Sequence, residues 1–224
     1  MTASGEAGQT VIELVFGLAV ALIILFAALG VLGRAFGLNA KISSRIDASQ
    51  RGRQAIDLMI RPLRSGICPD PFTASLIGGS DTQISFFADL SDGSRPPAIY
   101  SFVFDPGQRT ISERRSDGTG ASPNTTWPAT PTSTRVLLSD VVATVGAPVF
   151  RFNAFDAATP PRPTIVLPTP LSAVNVPTAS RITISFTVRP TGQTQTTGLA
   201  TNLQDEVDLR SADPNQPRPA PQCT

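Results

Sequence analysis

The sequence predicts an α+β protein in which one long N-terminal helix packs against an antiparallel β-sheet. Three patterns carry this prediction. Residues 14–33 contain no charge, residues 34–68 repeat apolar side chains mostly every three or four positions, and the remaining chain alternates apolar and polar residues between turn sequences. A helix followed by antiparallel strands is the order that places the helix on one face of the sheet.

The uncharged stretch is long enough to cross a membrane. As a helix that rises about 1.5 Å per residue, residues 14–33 span about 30 Å, the thickness of the hydrocarbon core of a bilayer. The stretch is apolar on every side, unlike a helix on the surface of a soluble domain. The preceding residues, MTASGEAG, contain no Lys or Arg, and no clear small-x-small cleavage site follows directly. We therefore expect a retained membrane helix instead of a cleaved secretory signal.

Glu13 places a carboxylate at the N-terminal edge of this apolar stretch. An ionised carboxylate in lipid costs several kcal/mol unless it is paired. One interpretation is that Glu13 marks the membrane interface, where this cost is small. The other interpretation is that Glu13 pairs with a positive charge that the single chain lacks, such as a new amino terminus created by cleavage nearby.

Residues 8–14, with the sequence GQTVIEL, resemble the prepilin cleavage and methylation motif of type IV pilins and type II secretion pseudopilins. The resemblance implies that a prepilin peptidase cuts between Gly8 and Gln9, so that residues 1–8 are a leader and Gln9 becomes an N-methylated amino terminus. It also implies that Glu13 pairs with the amino terminus of a neighbouring subunit in a filament, where the two charges offset one another. The chain departs from the family pattern in having Gln9 where an aromatic residue or Met is common, and in having a leader whose one charged residue is Glu6.

The helix is expected to continue past the transmembrane and assembly segment, residues 9–33, as an amphipathic helix over residues 34–68. This second segment has seven basic residues against two acidic ones, a net charge of +5. Such a charge run fits a solvated helix face, or a contact with lipid headgroups or an acidic face of a neighbouring subunit. Pro62 should kink or loosen the last turns, and Gly66 with Pro69 should end the helix. The apolar face consists of Leu38, Ile42, Ile46, Ile56, Met59, Ile60, Leu63 and Ile67.

Residues 69–224 predict an antiparallel β-rich head with proline-rich loops and a C-terminal tail. The first hairpins should form a meander, because Asp-Gly and Asp-Pro-Gly turns separate the early strands. Residues 159–177 read as a proline-rich loop. The strand order resembles that of J-type or W-type minor pilin or pseudopilin subunits. The expected strands lie around residues 84–86, 99–104, 110–114, 134–145, 148–155, 180–190 and, as a short last strand, 206–210.

Three aspartates of the head are candidate calcium ligands. Asp81, Asp89 and Asp92 could supply the carboxylate oxygens that Ca²⁺ prefers. Their spacing does not make a complete calcium loop, and Asp-Gly turns use aspartate for backbone reasons. A turn is therefore the simpler interpretation, and no metal or other cofactor is predicted.

The two cysteines, Cys68 and Cys223, could form a disulfide if the head lies outside the cytoplasm, where thiols are oxidised. Such a bond would connect the C-terminal tail to the end of the long helix. In the chain-entropy model, closing so long a loop stabilises the fold by on the order of 5 kcal/mol. The sequence leaves open whether the pair forms.

Composition excludes several classes of activity. The chain of 224 residues has no histidine and a net charge of +1, so it lacks the usual neutral-pH general base and a broad basic face for nucleic acid. Two cysteines cannot build a four-thiolate metal site. The sequence also shows no nucleophile with a plausible base and no phosphate-binding glycine loop. We therefore expect a protein that is not an enzyme and does not bind nucleic acid directly.

The resemblance implies a minor pilin or pseudopilin at a priming or tip position of a type IV pilus (a fimbrium) or a type II secretion-like filament. Its signal-anchor helix would cross the cytoplasmic membrane once, with the C-terminal head outside, before filament assembly. The implied partners are other pilin or pseudopilin subunits, prepilin peptidase, the inner-membrane assembly platform and membrane lipid. Two alternatives stay open: a single-pass membrane protein with a β-rich binding head, and a secreted β-domain released by signal peptidase.

Overall fold

The computed structural model describes residues 6–70, 73–91, 96–120, 124–156, 164–191 and 200–209. It confirms the α+β prediction: a long helix, α1 (Glu6–Arg64), is followed within these residues by ten strands and a short 3-10 helix (Val176–Thr178). The strands are β1 (Leu76–Gly79), β2 (Gln83–Ala88), β3 (Ala98–Asp105), β4 (Thr110–Asp117), β5 (Ser133–Leu138), β6 (Val141–Val142), β7 (Phe150–Phe155), β8 (Thr164–Val166), β9 (Arg181–Val188) and β10 (Thr201–Asp208).

The strands form two antiparallel sheets of five strands each. Sheet 1 has the order β1-β2-β3-β4-β5, which confirms the predicted meander. Sheet 2 has the order β10-β9-β7-β8, and β6 also pairs with β9. The single strand predicted at residues 134–145 is wrong, because the chain leaves sheet 1 after β5 and enters sheet 2 at β6. The change of sheet occurs at Asp140, whose positive φ of 60° turns the backbone.

Three other strands differ from the sequence prediction. β1 was not predicted, and β8 lies inside the segment expected to be a proline-rich loop. β10 is longer than the short strand expected at residues 206–210, because it pairs with β9 along the whole length of both strands, from Thr201 opposite Val188 to Asp208 opposite Arg181. In each case hydrogen bonding to a neighbouring strand extends β structure beyond what the local pattern indicates.

The chain divides into two compact units, Met1–Ser44 and Arg45–Thr224, and α1 contributes residues to both. In the first unit, the described side chains of α1 are exposed almost throughout. Within the described residues, α1 is the one helix that is long and apolar enough to cross a membrane, and none of its most apolar window is buried. Among the described residues, the first unit is thus an apolar helix whose side chains are exposed instead of packed in a core.

In the second unit, the last turns of α1 pack against the sheets. Buried residues recur every three or four positions, so one face of the helix enters the core. Leu38, Ile42 and Ile46, which the same periodicity places on the apolar face, are instead 60%, 52% and 51% exposed. The buried helical residues are Ala48, Ala55, Ile56, Met59, Ile60 and Leu63.

The end of α1 is hydrogen-bonded to sheet 1. The helix continues through the buried Pro62 and ends at Arg64. Gly66 then forms a β-bridge with Ala88, and the backbone N–H of Ile67 donates to the carbonyl of Phe87 at 3.1 Å. These bonds hold the last helical turn over the ends of β2 and β3, where the groove described below lies.

Candidate functional site

The predicted processing motif lies in the first turns of α1. Gly8 and Gln9 have helical backbone, and the exposed Glu13 follows one turn after Gln9. Among the described residues Glu13 has no ion-pair partner, and the next charge along the chain is Arg34. At about 1.5 Å per residue this arginine lies about 30 Å farther along the helix. Among the described residues, a single copy of the helix therefore gives the Glu13 carboxylate no counter-charge.

The helix around Glu13 presents an apolar surface that no other described residue covers. Val11, Phe16 and Phe26 are 61%, 72% and 69% exposed. Soluble monomers rarely expose continuous apolar surfaces of more than a few hundred Å². A surface of this kind requires lipid or other apolar protein around it.

A groove lies in the head between the last turns of α1 and the face of sheet 1 formed by β3, β4 and β5. It has a volume of about 390 Å³. A second cavity of about 570 Å³ is also lined by Leu90, Tyr100 and Arg115. Because they share these residues, the two cavities are parts of one depression. The groove is lined by Leu58, Arg61 and Pro62 from the helix and by Leu90, Tyr100, Glu113, Arg115, Ser133 and Arg135 from the sheet side.

The groove is charged because the inner face of sheet 1 changes composition along β4. On this face Ile111 lies opposite Phe104, but the next inward residue, Glu113, lies opposite Phe102. The residue after that, Arg115, lies opposite Tyr100. Side chains two positions apart share a face of a strand, so the apolar core gives way to paired charges towards the end of α1.

Two ion pairs organise this polar face. The Glu113 side chain is only 8% exposed, and its Oε2 atom accepts a hydrogen bond from Nη2 of Arg135 at 2.9 Å. Arg115 pairs through Nη2 with Asp117, and its guanidinium carbon lies 5.6 Å from the centre of the Tyr100 ring. This distance is within the range of a cation–π interaction. The Nε atom of Arg115 is buried and has no hydrogen-bond acceptor among the described residues.

Tyr100 has a raised pKa. Burial of the phenol is the largest cause, because it disfavours the charged phenolate, and the nearby Arg115 partly opposes it. Tyr100 is also the one tyrosine of the chain. Its ring therefore forms a neutral, largely apolar wall of the groove at neutral pH.

Two of the candidate calcium ligands, Asp81 and Asp89, lie among the described residues, and both accept hydrogen bonds there. Oδ1 of Asp89 accepts hydrogen bonds from the backbone N–H and the hydroxyl of Ser91, and the Asp81 carboxylate accepts one from the hydroxyl of Thr169. The described part of the chain holds no group of three or more potential metal ligands. Asp92, the other calcium candidate, lies outside the described residues.

Cys68 follows the end of α1, four residues after Arg64, and Cys223 lies outside the described residues. A bond between them would attach the C-terminal tail close to the bridge between Gly66 and Ala88. The proposed pairing of Cys68 with Cys223 stays a prediction.

Sequence reasoning missed the groove. A signal was present: in TISERRSD of β4, Glu113 and Arg115 occupy the alternate positions that Ile111 begins, where a buried strand face requires apolar side chains. That signal marks a polar patch on an otherwise apolar face, but only the packing of α1 shows that the patch is one wall of a groove. No model of a known protein family matches the chain, and no curated protein matches it either.

Proposed function

We propose that this chain is a minor pilin or pseudopilin, a non-enzymatic subunit that prepilin peptidase processes before assembly. Its N-terminal helix would then pack into a type IV pilus or a type II secretion-like filament. The observation that carries the proposal is Glu13: an exposed carboxylate without a partner among the described residues, at the edge of a bare apolar helix and five positions after Gly8. The long apolar helix α1 by itself fits a single-pass membrane protein.

Cleavage after Gly8 would supply the charge that Glu13 lacks. The new amino group of Gln9 is cationic, and methylation of an amine retains that charge. In a bundle of apolar helices the amino group of one subunit and the Glu13 carboxylate of its neighbour would offset each other. Each of the two charges alone would be costly in that environment. Assembly would also cover the exposed apolar side chains of α1.

The subunit would reside in the cytoplasmic membrane with its head outside until assembly. Its partners would be other pilin or pseudopilin subunits, prepilin peptidase, the assembly platform and lipid. The charges flanking the membrane segment oppose this orientation, because the basic residues Arg34, Lys41 and Arg45 follow the segment whereas the leader carries Glu6 and no basic residue. The proposed orientation would instead follow from processing of the leader on the cytoplasmic side. The two-sheet head with proline-rich loops favours a priming or tip position over a place in the shaft.

The amino terminus of the membrane-extracted protein tests this proposal. After expression with a prepilin peptidase, mass spectrometry should find a chain that begins at Gln9 and carries an N-methyl group. Gly8→Leu should retain the leader, because a side chain there obstructs access to the backbone at the cleavage site. Gly5→Leu, the same change within the leader, should still be processed. An amino terminus at Met1 or Thr2 in the presence of the peptidase, or one beyond Gly33, contradicts the proposal.

A second candidate function is a single-pass membrane protein whose head binds a ligand. The charged groove between α1 and sheet 1 favours it, because an assembly role does not by itself require such a groove. The two candidates differ at the amino terminus: a binding protein of this kind would keep residues 1–8 in the presence of the peptidase.

A further inference from the structure

We propose that the groove between the end of α1 and strands β3–β5 binds a carboxylate group of a polypeptide, through Arg61, Arg115 and Arg135. This inference concerns the head alone and does not depend on the proposed assembly into a filament. It follows from the hydrogen-bonding groups that the groove leaves available, from its apolar walls and from its size.

Glu113 and Asp117 at the groove already accept hydrogen bonds from side chains, whereas the arginines have N–H groups that their ion pairs do not use. Glu113 is bonded to Arg135, and Asp117 is bonded to Arg115 and to the Thr132 hydroxyl at 3.0 Å. Each guanidinium has five N–H donors in a planar fork. The ion pairs shown for Arg115 and Arg135 each use one nitrogen, so donors of both side chains remain for a ligand.

Arg61 adds a third guanidinium from the helix side. It is exposed, lines the groove, and has no ion pair within the described residues. Two walls of the groove therefore present arginines, one on α1 and one on the sheet. The planar fork of a guanidinium can donate two parallel hydrogen bonds to one carboxylate, the geometry in which Arg recognises that group.

Arg115 is held in place before any ligand arrives. The Tyr100 ring lies against its guanidinium, Asp117 bonds one nitrogen, and its Nε atom is buried. A positioned side chain loses less conformational entropy on binding than a free one.

The remaining walls favour a monoanion on an apolar chain over a polyanion. Leu58, Pro62, Leu90 and the Tyr100 ring are apolar contact surfaces. Among the groove arginines, Arg115 is paired with Asp117 and Arg135 with Glu113, so Arg61 is the one without an acidic partner among the described residues, and one unpaired cation matches one carboxylate. The volume of about 390 Å³ is in the range of pockets that hold a small organic ligand, enough for a short segment of polypeptide.

The test is peptide binding to the full chain in detergent micelles, measured by fluorescence anisotropy of dye-labelled peptides. The first probe is a tetrapeptide of Leu and Ala with a free carboxyl end, compared with its amide. The second is an end-blocked peptide with one internal Glu, compared with the same peptide containing Gln. At least one carboxylate peptide should bind about tenfold more tightly than its neutral counterpart. Preference for the first pair identifies a chain terminus as the ligand, and preference for the second identifies an acidic side chain.

Matched variants show whether the groove is responsible. Arg61→Gln should weaken carboxylate binding about tenfold, and Arg115→Lys, which keeps the charge and loses the fork, should weaken it similarly. Arg53→Gln removes an equal charge from an exposed position of the same helix outside the groove and should leave the affinity unchanged. Thermal unfolding checks that each variant is folded.

Three results would overturn the inference. One is absence of binding by both carboxylate peptides, and another is equal affinity of the carboxylate and neutral peptides. The third is an equal loss of affinity in Arg61→Gln and Arg53→Gln, which would show attraction to the general charge of the helix.

Discussion

Gly52 of α1 lies directly against Leu203 of β10. A Cβ atom added to Gly52 would lie 2.1 Å from Cδ1 of Leu203 and 2.9 Å from Cγ2 of Val188, closer than carbon atoms approach. At the preceding residue, Nη2 of Arg51 donates to the carbonyl of Arg189 at 3.2 Å. The missing side chain of Gly52 therefore lets the helix backbone approach sheet 2 at β9 and β10.

Gly52→Ala should lower the free energy of unfolding of the head by about 1 kcal/mol, because overpacking outweighs the better helix propensity of alanine. The loss stays modest, since Leu203 is half-buried on an edge strand and its side chain can turn aside. Denaturant unfolding followed by fluorescence of Trp127, the one tryptophan, measures the effect. Adding Leu203→Ala should remove the coupling between the two sites. Gly37→Ala, at a helical glycine with open space around it, is the control, and an equal loss there would contradict the explanation.

Gly79→Ala should be more destabilising than Gly52→Ala. A Cβ atom on Gly79 would lie 2.2 Å from Cζ of Phe152, and that ring is fully buried between the sheets. A ring in a close-packed core cannot turn aside, so we expect a loss of about 1–3 kcal/mol in the free energy of unfolding. The neighbouring Gly78 has nothing within 4 Å of such an atom. Gly78→Ala should therefore change stability little in the same unfolding experiment, and similar losses in the two variants would refute the steric account.

The stability of the head should fall as the pH rises above the ordinary pKa of tyrosine, about 10. Burial raises the pKa of Tyr100, so above this pH the unfolded chain loses the phenol proton while the folded chain retains it. The contribution of Tyr100 to the free energy of unfolding is complete below the pKa of the unfolded chain. It is lost as the pH rises towards the higher pKa of the folded chain. Ultraviolet absorbance of the phenolate follows Tyr100 alone, because the chain has one tyrosine.

Tyr100→Phe is the control for this pH dependence. It should flatten the fall in stability at alkaline pH and leave stability near neutrality little changed. A phenol that titrates at the same pH in the folded and unfolded chains would show that burial does not act as described.

Glu13→Ala should insert into the membrane as well as the parent chain but be incorporated poorly into filaments. Removing the carboxylate makes the helix more apolar, which favours insertion, and in the proposed filament it would leave the amino terminus of a neighbouring subunit without a counter-charge. Membrane fractionation and the amount of subunit in sheared filaments separate the two effects. Glu6→Ala, which removes an acidic residue from the leader, should assemble normally. Normal incorporation of Glu13→Ala into filaments would contradict the proposed charge pairing of Glu13.

Much of the secondary structure could be predicted because its signals are local. The uncharged residues 14–33 have no alternative to a continuous apolar helix, and the alternation in β3 and β9 specifies strands with one apolar face. The groove could not be predicted in the same way. Glu113 and Arg115 look like ordinary strand residues until α1 places Arg61 and Pro62 across from them.

The sequence by itself determined the kind of molecule: an apolar N-terminal helix with Glu13 at its edge, and a β-rich segment after it. Tertiary structure alone decided the division into two sheets, the change of sheet at Asp140, and which turns of α1 are buried, beginning at Ala48 rather than Leu38. The physical reason is the separation along the chain of the residues that interact. Periodicity and charge act between residues a few positions apart, whereas strand pairing and burial depend on contacts between residues far apart in the chain.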